Sequence, residues 1–229
     1  MMKRSGRFKK TGLNVLFGPK ISKWKFQPDQ LLYVTPYIPR LQMAKLAGQI
    51  YNDILRKPNI ILWDMFGGIG SDSISFSEYF NIITTELDSK IFQILKQNVR
   101  NHGVSNVQVL NINCLLLLHT IQPDVIYFDP PWGNDFNPKE DFDFTNVTID
   151  FLPQLENFDN VELQNYSKVS STIVLNFILH NMTSNVIVKS PLNSNTFENL
   201  FYPYINHIYK YPKKNLKFLY LSSPKKHAS

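Results

Sequence analysis

Cysteine is nearly absent from this chain, whose 229 residues include only Cys114. One cysteine cannot form an internal disulfide framework or supply a cysteine-based zinc site, and we expect it to be a buried apolar side chain. A secretory leader and an apolar run of membrane-spanning length are also missing. We therefore expect an intracellular protein, cytoplasmic or nuclear, without a membrane partner. None of the five histidines has a spacing typical of metal ligands, so we expect no metal site.

Acidic residues are missing from both ends of the chain, because no Asp or Glu precedes Asp29 or follows Glu198. The whole chain carries a net charge of +6 and has a pI near 9.2. The basic residues of the two ends are Lys3, Arg4, Arg7, Lys9, Lys10, Lys20, Lys23 and Lys25, and then Lys210, Lys213, Lys214, Lys217, Lys225 and Lys226. Such segregation favours a polyanion held by its phosphates, with binding that weakens as salt rises. A terminal charge run can equally be a solubilising tail, and for residues 1–10 both interpretations stay open.

Two aromatic residues, Trp24 and Phe26, lie among the N-terminal lysines. They would either stack on nucleic acid bases or anchor the basic segment on the core. The chain is 43% hydrophobic, and at this length it can bury one good core. We therefore expect a basic N-terminal arm at residues 1–30, followed by a single domain at residues 31–229.

Short apolar runs alternate with segments of helical periodicity along the chain. Strands are predicted near residues 59–63, 82–86, 107–111, 125–128, 186–189, 205–211 and 216–222. Helices are predicted at residues 41–55, 89–101, 170–182 and 194–202. This alternation indicates a doubly wound α/β domain built on a parallel sheet. The polar stretch 134–143 is expected to be a mobile loop.

A glycine-rich turn follows the first strand, in the run Asp64-Met65-Phe66-Gly67-Gly68-Ile69-Gly70. Glycines let the backbone approach a ligand closely, and Ser71 or Asp72 is able to cap the helix that follows. The first N–H groups of that helix would also face a ligand. The spacing of the glycines differs from the dinucleotide pattern G-x-G-x-x-G. The run therefore fits a cofactor that has no pyrophosphate.

Acidic side chains end the second strand, at Glu86 and Asp88. In doubly wound sheets an acid at this place accepts hydrogen bonds from ribose hydroxyls. A solvated strand end is the alternative for Glu86. A cap on the helix that begins at Ser89 is the alternative for Asp88.

The fourth strand ends in Asp129-Pro130-Pro131-Trp132-Gly133. Paired prolines stiffen the backbone and remove two N–H donors, which leaves carbonyls pointing one way. An acid side chain, a fixed carbonyl and a flat ring suit a planar base that carries an exocyclic amine. An ordinary turn after a strand is the alternative. Lys189, at the end of a later strand, is placed on the same rim, where it would touch a phosphate or stay solvated.

Together, Asp64 to Gly70, Glu86-Leu87-Asp88 and Asp129 to Gly133 resemble class I S-adenosylmethionine-dependent methyltransferases. Their spacing is most similar to the trimethylguanosine synthase family, which methylates the guanine N2 of the m7G cap of RNA. Val34-Thr35-Pro36 and Leu115 to Leu118 resemble further segments of that family. The resemblance implies an α/β, Rossmann-like fold with a seven-stranded, mostly parallel sheet. It also implies a C-terminal antiparallel hairpin and helices on both faces of the sheet.

The resemblance further implies the cofactor, the substrate and the residues that hold them. S-adenosyl-L-methionine would be bound by Asp64, Phe66, Gly67, Gly68, Gly70, Glu86, Asp88, Asn113 and Asp129. Capped RNA would contact Thr35, Trp24, Trp132 and Lys189. Catalysis would rest on Asp129, Pro130 and Trp132. The carboxylate and the proline carbonyl would accept the amine hydrogens while the indole ring stacks on the base.

Three positions depart from the family pattern. Asp129 stands where the cap family usually has serine, and an aspartate there is commoner in enzymes that methylate adenine N6 or guanine N2 in other nucleic acids. Asn134 replaces a glycine, and Asn113 replaces an aspartate that accepts from the adenine of the cofactor. Two alternatives therefore stay open. One is a methyltransferase acting on other RNA or DNA, and the other is an inactive relative that binds RNA or a partner protein.

Overall fold

Short runs rich in β-branched and aromatic residues form the strands, because such side chains pack well on a pleated surface. In the computed structural model the described residues are 10–132, 140–150, 168–183 and 185–222. The strands within them are β1 (Ile61–Asp64), β2 (Asn81–Thr85), β3 (Val107–Leu110), β4 (Val125–Phe128), β5 (Thr148–Asp150), β6 (Lys168–Ser170), β7 (Val186–Pro191), β8 (Ile205–Tyr211) and β9 (Leu216–Leu221). The predicted strand positions agree with seven of these to within two residues at either end.

One sheet contains seven strands, in the order β3-β2-β1-β4-β7-β9-β8. The first five are parallel to one another, and β9 is antiparallel to both of its neighbours. The predicted mostly parallel sheet with a C-terminal antiparallel hairpin is therefore confirmed. A second, two-stranded antiparallel sheet pairs β5 with β6. The sequence did not predict this pair, because three-residue strands are too short to show an alternating pattern.

Helices connect the strands of the sheet. They are α1 (Lys10–Phe17), α2 (Tyr37–Leu55), α3 (Ser71–Phe76), α4 (Ser89–His102), α5 (Ser171–Asn181) and α6 (Asn195–Phe201). α2 begins before its predicted start at residue 41. Pro39 does not prevent this, because it lies in the first turn of the helix, where no N–H donor is needed. β1 starts later than predicted, because Asn59 has a φ of 56° and cannot continue an extended strand. Among the described helices, none is both long and apolar enough to cross a membrane.

The core has two layers, because side chains alternate between the faces of the sheet. On one face Leu62 and Tyr127 pack with Met43, Ala47 and other residues of α2. On the other face the buried strand residues pack with α5 and α6, and they include Trp63, Ile126, Phe128, Val186, Val188, Leu219 and Leu221. The prediction of helices on both faces is confirmed.

The N-terminal residues pack on the domain through a third cluster, formed by Phe17, Trp24, Leu31, Val34 and Ile69. The ring of Trp24 lies 5.3 Å from that of Phe17 and 4.3 Å from that of His102. Trp24 is only 6% exposed, as expected for an anchor on the core. α1 and the short 3-10 helices after it, Gly18–Lys23 and Pro28–Leu32, are therefore packed on the domain. The division of the chain at residue 30 stays a prediction.

A buried arginine ties this segment together. Arg40 is 2% exposed and donates hydrogen bonds to the carbonyls of Leu16, at 2.5 Å, and Thr35, at 3.0 Å. Its guanidinium also lies 5.3 Å from the rings of Trp24 and Tyr37. Burial lowers the pKa of Arg40 to about 10, which leaves the side chain charged at neutral pH. Arg40, near the start of α2, is thus hydrogen-bonded to the end of α1.

Asn98 joins the N-terminal segment to α4 and to the glycine turn. Its side-chain oxygen accepts from the Lys25 N–H at 2.7 Å, and its amide donates to the carbonyls of Lys25 and Ile69, both at 2.9 Å. The side chain is fully buried. One asparagine therefore satisfies three backbone groups from two separate segments.

Replacing Asn98 with Ala should lower the free energy of unfolding by about 3 kcal/mol, because three buried backbone groups lose their partner. Asn101→Ala is the matched control, since Asn101 is on the same helix and donates one bond, to the Lys23 carbonyl at 2.8 Å. For the control we expect a loss of about 1 kcal/mol or less. Urea unfolding followed by circular dichroism measures both values. Equal losses in the two variants would contradict the role of Asn98.

Candidate active site

The candidate site lies at the carboxyl ends of the parallel strands. After β1 the chain passes to β2 on one side, whereas β4 lies on the other side of β1. Ligands bind at such a switch point, outside the carboxyl ends of the strands. Asp64 ends β1, and Glu86 and Asp129 directly follow β2 and β4. The sheet order therefore brings together three acids that are far apart in the sequence.

Two glycines are required by close packing at the turn after β1. The Gly67 N–H donates to the Thr85 carbonyl at 2.8 Å, and a Cβ at Gly67 would lie 2.3 Å from Thr84 Oγ1. Gly70 has a φ of +88°, and a Cβ there would lie 2.5 Å from Leu95. Gly68, between them, also has a positive φ, but no atom lies within 4 Å of the position of its Cβ. The turn is packed against the sheet on one side and open above Gly68.

Glu86 lies at the edge of this opening. Its carboxylate accepts from the Gly68 N–H at 2.9 Å and from the Asp88 N–H at 2.8 Å. Burial raises the pKa of Glu86 above its ordinary value, although these two backbone bonds oppose that effect. Glu86 is therefore held beside the glycine turn, and the alternative of a solvated strand end is wrong.

Asp88 caps α4. One of its carboxylate oxygens accepts from the Lys90 N–H at 2.7 Å and from the Ile91 N–H at 3.0 Å. This is the capping alternative that the sequence left open for Asp88. Its predicted contact with a cofactor stays a prediction that these hydrogen bonds do not support.

Asp64 is a buried carboxyl directly before the turn, with 1% exposure. It accepts from Ser73 Oγ at 2.5 Å and from the Phe66 N–H at 3.3 Å. Burial raises the pKa of Asp64 to about 7, with smaller contributions from Asp72 and Asp129. The ring of Phe66 packs edge-on against Phe128, at 5.6 Å between centroids. Asp64 thus positions the turn, and its carboxyl changes protonation state near neutral pH.

Asp72 is a residue of this site whose place the sequence did not reveal. It was predicted as a possible cap of α3, but the N-cap is Gly70, without a side-chain bond. Asp72 Oδ2 instead accepts from Thr35 Oγ1 at 2.8 Å and from the Tyr127 hydroxyl at 3.0 Å. Thr35, predicted to contact the substrate, is 1% exposed and is used in this bond. Such a contact between distant segments leaves no local signal in the sequence.

Lys189 and Asp129 form a buried ion pair at the ends of neighbouring strands. Phe128 of β4 pairs in register with Val188 of β7, so the next residues on the two strands lie side by side. Lys189 Nζ is 2.6 Å from Asp129 Oδ2. The side chains are 6% and 16% exposed. The alternative of a solvated Lys189 does not hold, because the strand register places its side chain beside a carboxylate, with 6% exposure. Its predicted contact with a substrate phosphate stays a prediction.

The same ammonium group also lies against the predicted stacking residue. Lys189 Nζ is 5.4 Å from the centroid of the Trp132 ring. Burial raises the pKa of Asp129 to about 6, and Lys189 opposes this shift. Burial would lower the pKa of Lys189, but Asp129 and Asp72 raise it above its ordinary value. Asp129, Lys189 and Trp132 therefore form one unit, in which an ion pair contacts an aromatic ring.

Asn113 follows β3 and is 4% exposed. Its side-chain oxygen accepts from the Leu115 N–H at 3.0 Å, and its amide donates to the Asp150 carbonyl at 3.0 Å. It caps the 3-10 helix Cys114–Leu117, and its predicted contact with adenine stays a prediction. Cys114 is buried as predicted, and burial raises the pKa of its thiol to about 12.

Of the predicted site residues, one lies apart from the rest. Trp24 is enclosed in the N-terminal cluster, where its 6% exposure leaves no ring face for a base. Its assignment as a substrate contact is therefore corrected to a packing role. Pro130 is buried next to the ion pair. Gly133 and most of the predicted loop at 134–143 lie outside the described residues.

The opening above Gly68 fits S-adenosylmethionine. Space lies where a side chain at Gly68 would project, and the Glu86 carboxylate lies at its edge. In doubly wound sheets an acid at this place accepts from ribose hydroxyls, and Glu86 would do so if the cofactor is bound there. The glycine turn offers close backbone approach without a pyrophosphate-binding pattern. A seven-stranded sheet of this order, with such a turn at its switch point, defines an S-adenosylmethionine-dependent methyltransferase.

Comparison with known proteins narrows this class. The family model described as RNA cap guanine-N2 methyltransferase matches residues 59–200, and the chain belongs to this family. Trimethylguanosine synthase of Schizosaccharomyces pombe is 26% identical over 149 residues, which cover 53% of this chain and 61% of that protein. The match thus spans less than two thirds of the relative. A putative methyltransferase from Porphyromonas gingivalis W83 superposes with a TM-score of 0.56 at 13% identity, over 86% of this chain and 42% of that chain. This last likeness shows the fold alone.

Stability should fall as pH rises from about 4 to about 7. The pKa values of Asp64 and Asp129 are raised by folding to about 7 and about 6, so the folded state holds more protons than the unfolded state in this range. Asp64→Asn removes the larger of these two contributions, and its melting temperature should fall less across the same range. Differential scanning fluorimetry in half-unit pH steps measures the slope.

Asp53→Asn is the control, because Asp53 is an exposed aspartate on α2. We expect its slope to match that of the unmodified protein. A slope for Asp64→Asn that equals both of these would show that Asp64 does not gain a proton on folding.

Proposed function

We propose that this protein transfers a methyl group from S-adenosylmethionine to the exocyclic N2 amine of the m7G cap of RNA. The observation that carries the proposal is the unit of Asp129, Lys189 and Trp132 beside the glycine turn. A carboxylate and a flat ring at this place suit an amine on a planar base. Membership of the RNA cap guanine-N2 methyltransferase family supports the same substrate.

The residues of the glycine turn would hold the cofactor, with Gly68 giving close approach and Glu86 accepting from the ribose. When bound there, S-adenosylmethionine supplies a methyl group on a positively charged sulfur. The rate enhancement that the protein itself adds depends on how it positions the amine nitrogen in line with that methyl group.

Asp129 and Pro130 would hold the amine. An exocyclic amine is a poor nucleophile, because its lone pair is delocalised into the ring. Asp129 Oδ2 accepts from Lys189, so its second oxygen, Oδ1, would accept one amine hydrogen, and the Pro130 carbonyl the other. Two such acceptors favour a tetrahedral nitrogen and stabilise its developing positive charge. Asp129 would finally take up the released proton, for which its raised pKa is suited.

Trp132 would stack on the base, and the ion pair beside it sets the local charge. A cationic m7G gains cation–π attraction from an indole ring. A lone ammonium 5.4 Å from the same ring would repel that base, but Asp129 neutralises Lys189. The pair thus lets a lysine lie against the ring at little cost to binding of a cationic base.

Methyl transfer from labelled S-adenosylmethionine to m7GTP, GTP, an uncapped RNA and a duplex DNA, measured in parallel, tests the proposal. We expect incorporation into m7GTP at a rate well above that for GTP. Trp132→Ala should raise the KM for m7GTP at least about fivefold, through loss of stacking worth roughly 1–3 kcal/mol. Incorporation only into uncapped RNA or DNA would overturn the cap substrate. Binding of S-adenosylhomocysteine without transfer to any of the four would overturn enzymatic activity on them.

Lys189→Met should move the acidic limb of the pH–rate profile to higher pH. Without the ammonium, the buried Asp129 loses the interaction that lowers its pKa, and it ionises at higher pH. We expect a loss of kcat at pH 7 that is partly recovered at pH 9. Initial rates with m7GTP from pH 5 to pH 9 measure the shift.

Lys217→Met is the matched control. Lys217 is also fully buried and paired with a carboxylate, Glu198, but it lies on β9 away from the glycine turn. Its loss should destabilise the fold without moving the acidic limb. A limb at the same pH in Lys189→Met and the unmodified enzyme would contradict the role of Lys189.

A further inference from the structure

A basic cleft runs along the exposed face of α4. It has a volume of about 360 Å³ and is lined by Gln93, Lys96, Gln97, Arg100 and Asn101. The spacing of these residues puts them on one face of the helix, opposite the buried Leu95 and Val99. The lining thus offers two cations and three amides on one continuous surface. We call it the α4 cleft.

The N-terminal segment adds three more cations beside the α4 cleft. Lys20, Lys23 and Lys25 are exposed, and the backbone that carries them is fixed on α4. The Lys23 carbonyl accepts from Asn101, a cleft residue, at 2.8 Å. The Lys25 backbone is bonded on both its N–H and its carbonyl by Asn98. These lysines are therefore presented by an ordered segment.

Among the described residues, no acidic side chain forms an ion pair with the cations of this surface. In the described part of the chain, the ion pairs are Lys57–Asp124, Lys168–Asp150, Lys189–Asp129 and Lys217–Glu198. None of them includes a cation of the α4 cleft or of the segment beside it. Lys23 and Lys20 also help to lower the pKa of His102 at the end of α4, after the larger effect of burial. The surface therefore carries a positive potential that suits a polyanion.

We propose that the α4 cleft and Lys20, Lys23 and Lys25 bind the RNA chain that follows the cap. From Gln93 to Asn101 the helix rises by roughly 12 Å. The α4 cleft is therefore longer than one phosphate group and can contact more than one nucleotide. Lys and Arg side chains would contact the phosphates, and the Gln and Asn amides the ribose hydroxyls. α4 begins beside Glu86 at the candidate site, so its exposed face leads away from that site along the protein surface. The role of the RNA as substrate rests on the function proposed above.

The proposal is tested with a triple variant, Lys23→Gln/Lys96→Gln/Arg100→Gln. The matched control is Lys210→Gln/Lys213→Gln/Lys214→Gln, which removes three exposed charges from the β8–β9 hairpin at the opposite edge of the sheet. Fluorescence anisotropy with a labelled, uncapped twelve-nucleotide RNA gives the affinity at several salt concentrations. We expect at least a tenfold loss for the cleft variant. The slope of log K against log salt should be smaller by about 2, since each lost phosphate contact contributes about 0.7.

Turnover separates this inference from the proposed function. The cleft variant should keep its rate with m7GTP, which has no RNA chain, and show a raised KM for the capped form of the same RNA. Equal losses of RNA affinity in both triple variants, or none in either, would overturn the α4 cleft as the RNA-binding surface. The anisotropy measurement needs no methyl transfer, so it remains decisive even if m7GTP is not a substrate.

Discussion

The ion pair of Lys189 and Asp129 is the interaction on which the arrangement of the site depends. Two charges with little exposure are costly to remove from water, and each is stable there only because the other is 2.6 Å away. Breaking such a pair by removing one partner typically costs about 3–5 kcal/mol. The register of β4 and β7 provides the contact, since it sets Phe128 opposite Val188. The sheet therefore places a carboxylate, an ammonium and the Trp132 ring together at the switch point.

The charge of that unit follows from its surroundings. Burial raises the pKa values of Asp64 and Asp129, and repulsion from the neighbouring acids, among them Asp72, adds a smaller increase. Lys189 is the cation that offsets this accumulation of acids. A site of this kind holds one carboxylate ready to accept hydrogen bonds and a proton, while its net charge stays low enough for a cationic base.

The N-terminal segment also supports the glycine turn after β1. Asn98 bonds the carbonyl of Ile69 within the turn and both backbone groups of Lys25, and Thr35 bonds Asp72 at the start of α3. A segment rich in lysine is thereby fixed on α4. This helix begins beside the candidate site, and its exposed face lines the α4 cleft. Lys23 and Lys25 are therefore carried by a backbone that is hydrogen-bonded to α4, and they are not part of a free tail.

The sheet could be predicted from the sequence, because buried parallel strands are short apolar runs followed by glycines and acids, as at Asp64 and Glu86. The pairing of Lys189 with Asp129 could not be predicted, since it depends on the register of strands whose residues are 60 apart in sequence. The burial of Trp24 and the bond from Thr35 to Asp72 depend in the same way on the path of the N-terminal segment. Local chemistry could show that Asp88 was able to cap a helix, but only the structure shows that it does.

The position of the transferred methyl group tests the proposed function most directly. The product formed from m7GTP, with a ¹³C-methyl group supplied by S-adenosylmethionine, can be examined by two-dimensional NMR for coupling of the new methyl protons to guanine C2 and to no other ring carbon, since a methyl group on N1 or N3 would couple to C6 or C4 as well. We expect that coupling, because Asp129 and Pro130 are placed to hold an exocyclic amine. A methyl group on a ribose oxygen or on a ring nitrogen would contradict the proposed function.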